Sequence, residues 1–174
     1  MSTVETILNR RSIRKYTDQP ISEEDVRTIL RCGMSGPSAV NARDWSFIVV
    51  DDKEKLARWA EVSGRAGKII SSAKLAILIC ADTTRSFKGA PEYYVINAAI
   101  AGQNMILSAA SLGIGSVWLG IWPQQDKVNA QREHFQLPKE IIPQSIIAFG
   151  YPDEDKSDVA HKDYEEDRVH HNGW

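Results

Sequence analysis

Residues 91–120 read PEYYVINAAIAGQNMILSAASL followed by GIGSVWLG, and this stretch decides the fold. Pro91 suits the first turn of a helix and Gly113 closes one, so the sequence predicts a single long helix ending at Leu112. Its apolar residues run around most of the circumference, with alanine and glycine among them, so the helix must be covered on several sides. One copy of a chain this size does not readily supply that cover. The stretch from Tyr93 to Leu112 approaches membrane-spanning length, but Asn97, Gln103, Asn104 and Ser108 interrupt it, which indicates a buried helix instead.

Working outward, Ser116 to Ile121 reads as a strand, Gln125 to Phe135 as a charged helix and Ser145 to Gly150 as another strand. Upstream, Leu75 to Cys80 is an apolar strand, Gly64 and Gly67 break the chain, and Leu56, Trp59 and Ala60 mark a helix. Trp45 to Val50 is a strand closed by Asp51-Asp52. Ser22 with Glu23, Glu24 and Asp25 starts a helix carrying Val26, Ile29 and Leu30, and Ser2 with Glu5 has capping-box spacing for a first helix reaching about Arg10. This order predicts a layered α/β or α+β arrangement, with residues 1–174 as one domain.

The 174 residues are 43% hydrophobic and 25% charged, which suits a folded globular chain and not a disordered one. A net charge of −2 excludes a nucleic-acid binder that relies on overall positive charge, although one local basic cluster exists. Cys32 and Cys80 form no CxxC pair, so both read as small buried hydrophobes. The four histidines show no metal-binding spacing and no metal is expected. No signal peptide is visible in Met1 to Arg14, so the cytoplasm is the expected compartment, and no membrane contact is expected. The acidic tail from Pro152 to Trp174 reads either as mobile or, because of Val169 and Trp174, as a segment that packs against something.

The local basic cluster is Arg10-Arg11-Ser12-Ile13-Arg14-Lys15-Tyr16, which sets four cations and a hydroxyl at the end of a helix. Arginine forks suit a phosphate bidentately, although such a run alone is more often a solvated patch. Neither G-x-G-x-x-G nor G-x-x-x-x-G-K-[ST] occurs, so a mononucleotide held by side chains fits better than one held by a glycine loop. The loop Pro37-Ser38-Ala39-Val40-Asn41 adds a hydroxyl and an amide suited to ribityl hydroxyls or a ring edge. Gly120 places a glycine after a strand, where backbone can approach a flat ring closely, and Trp118 and Trp122 either line a pocket or belong to the core. No G-x-S-x-G or Ser-His-Asp set supports hydrolase chemistry.

Taken in order, the motif 10–16, the loop 37–41 ahead of Trp45, Gln103 to Leu107, Gly113 to Gly120, the Phe149 to Pro152 turn and the terminus Val169 to Trp174 resemble the short members of the nitroreductase family. The resemblance implies an α+β, three-layer fold with a mixed central sheet flanked by helices, in an intertwined homodimer whose residues 152–174 wrap onto the partner subunit. It implies FMN at the dimer interface. In that picture Arg10, Arg11, Ser12 and Arg14 meet the phosphate, ribityl chain and pyrimidine edge. Pro37, Ser38 and Asn41 come from the other subunit, and the backbone at Leu119 and Gly120 reaches flavin N5. Lys162 is the nearest match to a phosphate-assisting basic residue near the C-terminus, with Asp163 where an arginine is expected, and Arg65 or Lys68 is the pyrimidine-side candidate. The familiar loop reads N-x-Q-P-W, whereas this chain has Asn41-Ala42-Arg43-Asp44-Trp45. The implied activity is two-electron transfer from NADH or NADPH through FMN to a nitroaromatic or quinone-like acceptor, with alternating kinetics and no side-chain acid or base. The alternatives are a non-catalytic FMN storage or sensor protein and a basic-patch interaction domain.

Overall fold

The computed structural model describes residues 2–154 and 164–174. Six α-helices occur among them: α1 (Thr3–Asn9), α2 (Glu23–Met34), α3 (Lys53–Glu61), α4 (Gly67–Ser72), α5 (Tyr93–Ser111) and α6 (Gln125–His134). The strands are β1 (Trp45–Val50), β2 (Leu75–Asp82), β3 (Gly115–Gly120) and β4 (Ile141–Gly150), in the order β1-β2-β4-β3.

The two central strands explain the layering. Leu75, Ile77 and Ile79 of β2 face one way and join Ile147 and Phe149 of β4 against Ile29 of α2 and Ala98, Met105 and Ala109 of α5. Ala76, Leu78 and Cys80 face the other way, toward Leu56 and Trp59 of α3, Ile70 of α4 and Val128 of α6. Burial on both faces is why these strands read as continuous apolar runs and not as alternating ones. The helix around Trp59 is fixed to α6 by a hydrogen bond from Trp59 Nε1 to Gln131 Oε1 at 2.5 Å and by an edge-on contact with Phe135 at 4.9 Å between centroids.

Three expectations change. The four strands pair only antiparallel, so the mixed character expected of the sheet is confined to a single parallel bridge between Ser12 and Ser116. Gly67 does not break the chain but begins α4, where a Cβ would lie 2.3 Å from the Ala60 carbonyl oxygen, so the glycine lets α4 close onto the end of α3. The long helix starts at Tyr93 and not at Pro91, after a turn in which Tyr94 N–H donates to the Pro91 carbonyl at 3.3 Å. Cys80 is buried, which pushes its thiol up to about 12, and Cys32 is half-buried; neither is in a disulfide.

Candidate functional site

The basic cluster is placed by its apolar neighbours. Helix α1 is closed at its start by the reciprocal Ser2 and Glu5 capping box and gives way to extended backbone at Arg10. The chain then lies along the free edge of β3: Ile13 N–H donates to the Ser116 carbonyl at 2.9 Å, and Ile13 packs where Gly115 has no side chain. Tyr16 is buried over Gly150, and its hydroxyl donates to the Ile13 carbonyl at 2.7 Å. Burial, with the Glu154 charge adding to it, pushes the Tyr16 phenol far above its usual range, so it is a fixed donor.

With Ile13 and Tyr16 held inward, Arg10, Arg11 and Ser12 are half-buried and Arg14 and Lys15 exposed. Arg10, Arg11, Gly113, Gly115 and Glu154 lie on the wall of a cavity of about 440 Å³. Arg11 Nη1 donates to the Leu8 and Arg10 carbonyls at 3.0 and 3.1 Å, and Arg14 Nη1 to the Ser12 carbonyl at 3.3 Å. The Arg14 backbone N–H donates to Glu154 Oε1 at 2.7 Å. The cavity therefore carries cations and one carboxylate together, and an incoming anion competes with Glu154.

Gly120 lies at the other end of the same strand, roughly 13 Å from Ser116 at the usual strand rise. Because the Ser116 carbonyl points away from β4, the antiparallel alternation aims the N–H and C=O of Trp118 and Gly120 away from β4 too. Gly120 is exposed, and a Cβ there would meet nothing within 4 Å. A second cavity, of about 420 Å³, is lined here by Gly120, Ile121, Arg65, Gln124 and Lys127. Lys127 Nζ donates to the Gly120 carbonyl at 3.4 Å. Two buried oxygens nearby, Gln144 Oε1 and Ser145 Oγ, have no hydrogen-bond partner among the described residues, and Ser145 is the cross-strand partner of Gly120.

The loop ahead of β1 is strained. Val40, Asn41 and Arg43 have φ of 48°, 56° and 50°, and left-handed non-glycine backbone of this kind costs about 1–3 kcal/mol per residue. Ser38 Oγ accepts from the Arg43 N–H at 3.0 Å, and Asn97 Oδ1 of α5 accepts from the Ala39 N–H at 3.0 Å. Beneath it Asp44, 1% exposed, accepts from Asn97 Nδ2 at 2.9 Å and Ser86 Oγ at 2.8 Å. Pro37 and Ser38 border a third cavity, of about 430 Å³, with Phe87, Tyr93, Ile96 and Ile100. Among the described residues no charged side chain lines it.

The structure thus brings Arg10, Arg11, Ser12 and Arg14 to one end of β3 and Leu119 and Gly120 to the other. Pro37, Ser38 and Asn41 lie in the loop ahead of β1, the strand at the opposite edge of the sheet, three strand spacings or roughly 14 Å from β3. Of the pyrimidine-side candidates, Arg65 lines the cavity at Gly120, while Lys68 is exposed on α4 and does not. Lys162 lies outside the described residues. Among the described residues no cluster of histidine, cysteine and carboxylate side chains could hold a metal ion, and no helix is long and apolar enough to cross a membrane. Sequence reasoning missed Asp44, Ser86 and Lys127; Asn97 left a trace as a polar residue in an apolar helix.

The nitroreductase family model matches residues 7–71 and 64–151, which together cover most of the chain. This chain belongs to the nitroreductase family. It is therefore an oxidoreductase, and its three layers are the α+β fold of that family. It is 41% identical over 174 residues to a Methanothermobacter thermautotrophicus protein provisionally named an NADH dehydrogenase/NAD(P)H nitroreductase, covering 100% of this chain and 88% of that one. An FMN-dependent nitroreductase from Clostridium difficile superposes with a TM-score of 0.88 at 32% identity, covering 98% of this nitroreductase-family chain and 99% of that one. The NADPH:FMN oxidoreductase of Vibrio harveyi, solved with NAD+, superposes at 0.85 with 28% identity, covering 99% of this chain and 77% of that one.

Proposed function

We propose that this protein is an FMN-dependent NAD(P)H oxidoreductase that delivers two electrons to a nitroaromatic or quinone-like acceptor and works as a homodimer. The observation that carries this reading is the single strand β3, with an arginine-lined cavity at its start and an open, outward-facing Gly120 N–H at its end. That donor set fits FMN, since the arginine forks suit one phosphate and the missing Cβ at Gly120 leaves room for a flat ring. When bound, FMN supplies the two-electron exchange between nicotinamide and acceptor.

The chain's own residues bind, orient and leave access. Arg10, Arg11 and Arg14 would hold the phosphate with Ser12, where Glu154 now accepts from the Arg14 backbone N–H. The Gly120 N–H would hold flavin N5, whereas the Leu119 N–H and C=O are turned toward β4 and do not reach it, and Lys127 fixes Gly120 from its carbonyl side. Arg65, which lines the cavity at Gly120, would meet the pyrimidine in place of Lys68. Because one open side at Gly120 serves donor and acceptor in turn, the kinetics alternate.

The homodimer supplies what one chain lacks. Tyr93 and Ile96 of α5 and Val4, Ile7 and Leu8 of α1 are exposed apolar residues, a surface suited to a second copy. A second copy would bring Pro37, Ser38 and Asn41 to the Gly120 end of its neighbour, together with the uncharged cavity at Phe87 and Tyr93. That cavity favours flat, uncharged acceptors. Residues 1–174 act as one domain in this reading, with residues 164–174 of the 152–174 extension laid on the partner, where the exposed Trp174 finds cover, while residues 155–163 lie outside the described residues. A reducing compartment such as the cytoplasm suits the two unpaired cysteines.

Heat release of the chromophore from purified protein should yield FMN, and FAD would overturn the assignment. Arg10→Ala should weaken FMN binding by about tenfold or more, since charge-assisted hydrogen bonds contribute roughly 1.5–3 kcal/mol each. An unchanged dissociation constant with the fold intact would mean that the basic cluster is only a solvated patch.

A further inference from the structure

We infer that Asp44 is the positioning residue of the cofactor loop 38–43, acting through the side-chain amide of Asn97. The last step, that the loop meets FMN, rests on the proposed function; the rest stands on geometry. Val40, Asn41 and Arg43 are all exposed and all left-handed, and of the three only asparagine favours that region, so the packing of these three side chains does not hold the loop in shape. Its inward side-chain anchor is the bond from the Ala39 N–H to Asn97 Oδ1.

An amide side chain can be turned either way, with oxygen and nitrogen exchanged. Asp44 and the Ala39 N–H fix it together. Asp44 accepts at both carboxyl oxygens, so Asn97 turns its Nδ2 toward Asp44 Oδ1 and is held with its own Oδ1 aimed at the Ala39 N–H. The other carboxylate oxygen is fixed by Ser86 Oγ, in the turn that follows β2, and the Asp44 carbonyl accepts from the Asp82 N–H at 2.6 Å. Asp44 thus joins the loop, the end of β2 and α5 at one buried point. Ser86 precedes Phe87 and Asn97 itself lines the uncharged cavity, so the same carboxylate sets the spacing between Ser38 and the acceptor-facing aromatics.

The test compares Asp44→Ala, which removes the acceptor, with Asp44→Asn, whose side-chain oxygen can still accept from Asn97 while its NH₂ donates to Ser86. Hydrogen exchange of the Ala39 amide should be faster by about tenfold or more in the alanine variant and within about threefold of wild type in the asparagine variant. FMN affinity should follow the same order, about tenfold weaker for alanine and largely rescued for asparagine. If Asp44→Ala does not fold, Ser86→Ala frees one carboxylate oxygen and should still speed Ala39 exchange by about threefold. Unchanged Ala39 exchange in Asp44→Ala, or in Ser86→Ala where that is the variant that folds, or a lowered melting temperature of that variant with loop exchange and FMN affinity both unmoved, would overturn the inference. If wild-type protein takes up no FMN, the proposed function fails, yet the exchange comparison still decides the role of Asp44.

Discussion

Mixed dimers that pair an Arg10→Ala chain with an Asn41→Ala chain should recover about one FMN per dimer bound with wild-type affinity, whereas both pockets of each variant's own homodimer bind it about tenfold or more weakly. The expectation follows from the sheet order. Arg10 lies beside β3 and Asn41 ahead of β1, strands on opposite edges of a four-stranded sheet, and the proposed homodimer draws them into one pocket from two chains. A mixed dimer then contains one pocket with both residues intact and one with both removed. If both residues came from the same chain, every pocket would carry one lesion. Co-expressing differently tagged variants, isolating the mixed species and measuring flavin per dimer distinguishes the two. No FMN bound with wild-type affinity in well-folded mixed dimers would contradict the shared pocket.

Trp59→Ala should lower the stability of the cofactor-free protein by about 3–5 kcal/mol, the cost of removing a large aromatic from a packed core. Trp59 is fully buried beneath the sheet, touches Phe135 edge-on and is the donor that satisfies Gln131 Oε1. The substitution leaves both a cavity and an unpaired amide oxygen. Trp59→Phe keeps most of the ring and loses only the donor, so its cost should be nearer 1–3 kcal/mol. Urea unfolding at one fixed protein concentration measures both, the concentration being held because a dimer's stability depends on it. A loss below about 1 kcal/mol for Trp59→Ala would mean that α3 and α6 are not held to the sheet as described.

The elements that the sequence revealed are those with a local signature. Strand β1 is bounded by Trp45 and Val50 as expected, and α2 begins where Ser22 and its acidic followers place it. Helix α5 is long and apolar because α2 and β2 cover one side of it, while Tyr93 and Ile96 remain outside. Helix α4 was hidden because Gly67 looks like a break, and only the approach of the Ala60 carbonyl explains it. The cofactor candidates were legible as motifs, but their grouping was not. No local pattern reveals that Arg10 and Gly120 come to opposite ends of β3, or that Arg65 and not Lys68 lines the cavity at Gly120. Asp44 was least visible, since its partners Ser86 and Asn97 lie 42 and 53 residues away, and burying a carboxylate makes sense only with both present.

The central claim is that bound FMN turns over here. Anaerobic addition of NADH or NADPH to the purified yellow protein should bleach its flavin absorbance, and a nitroaromatic or quinone should then restore it without oxygen. Flavin that remains oxidised under both nucleotides would contradict the claim and make the protein a holder of FMN instead of an enzyme that uses it.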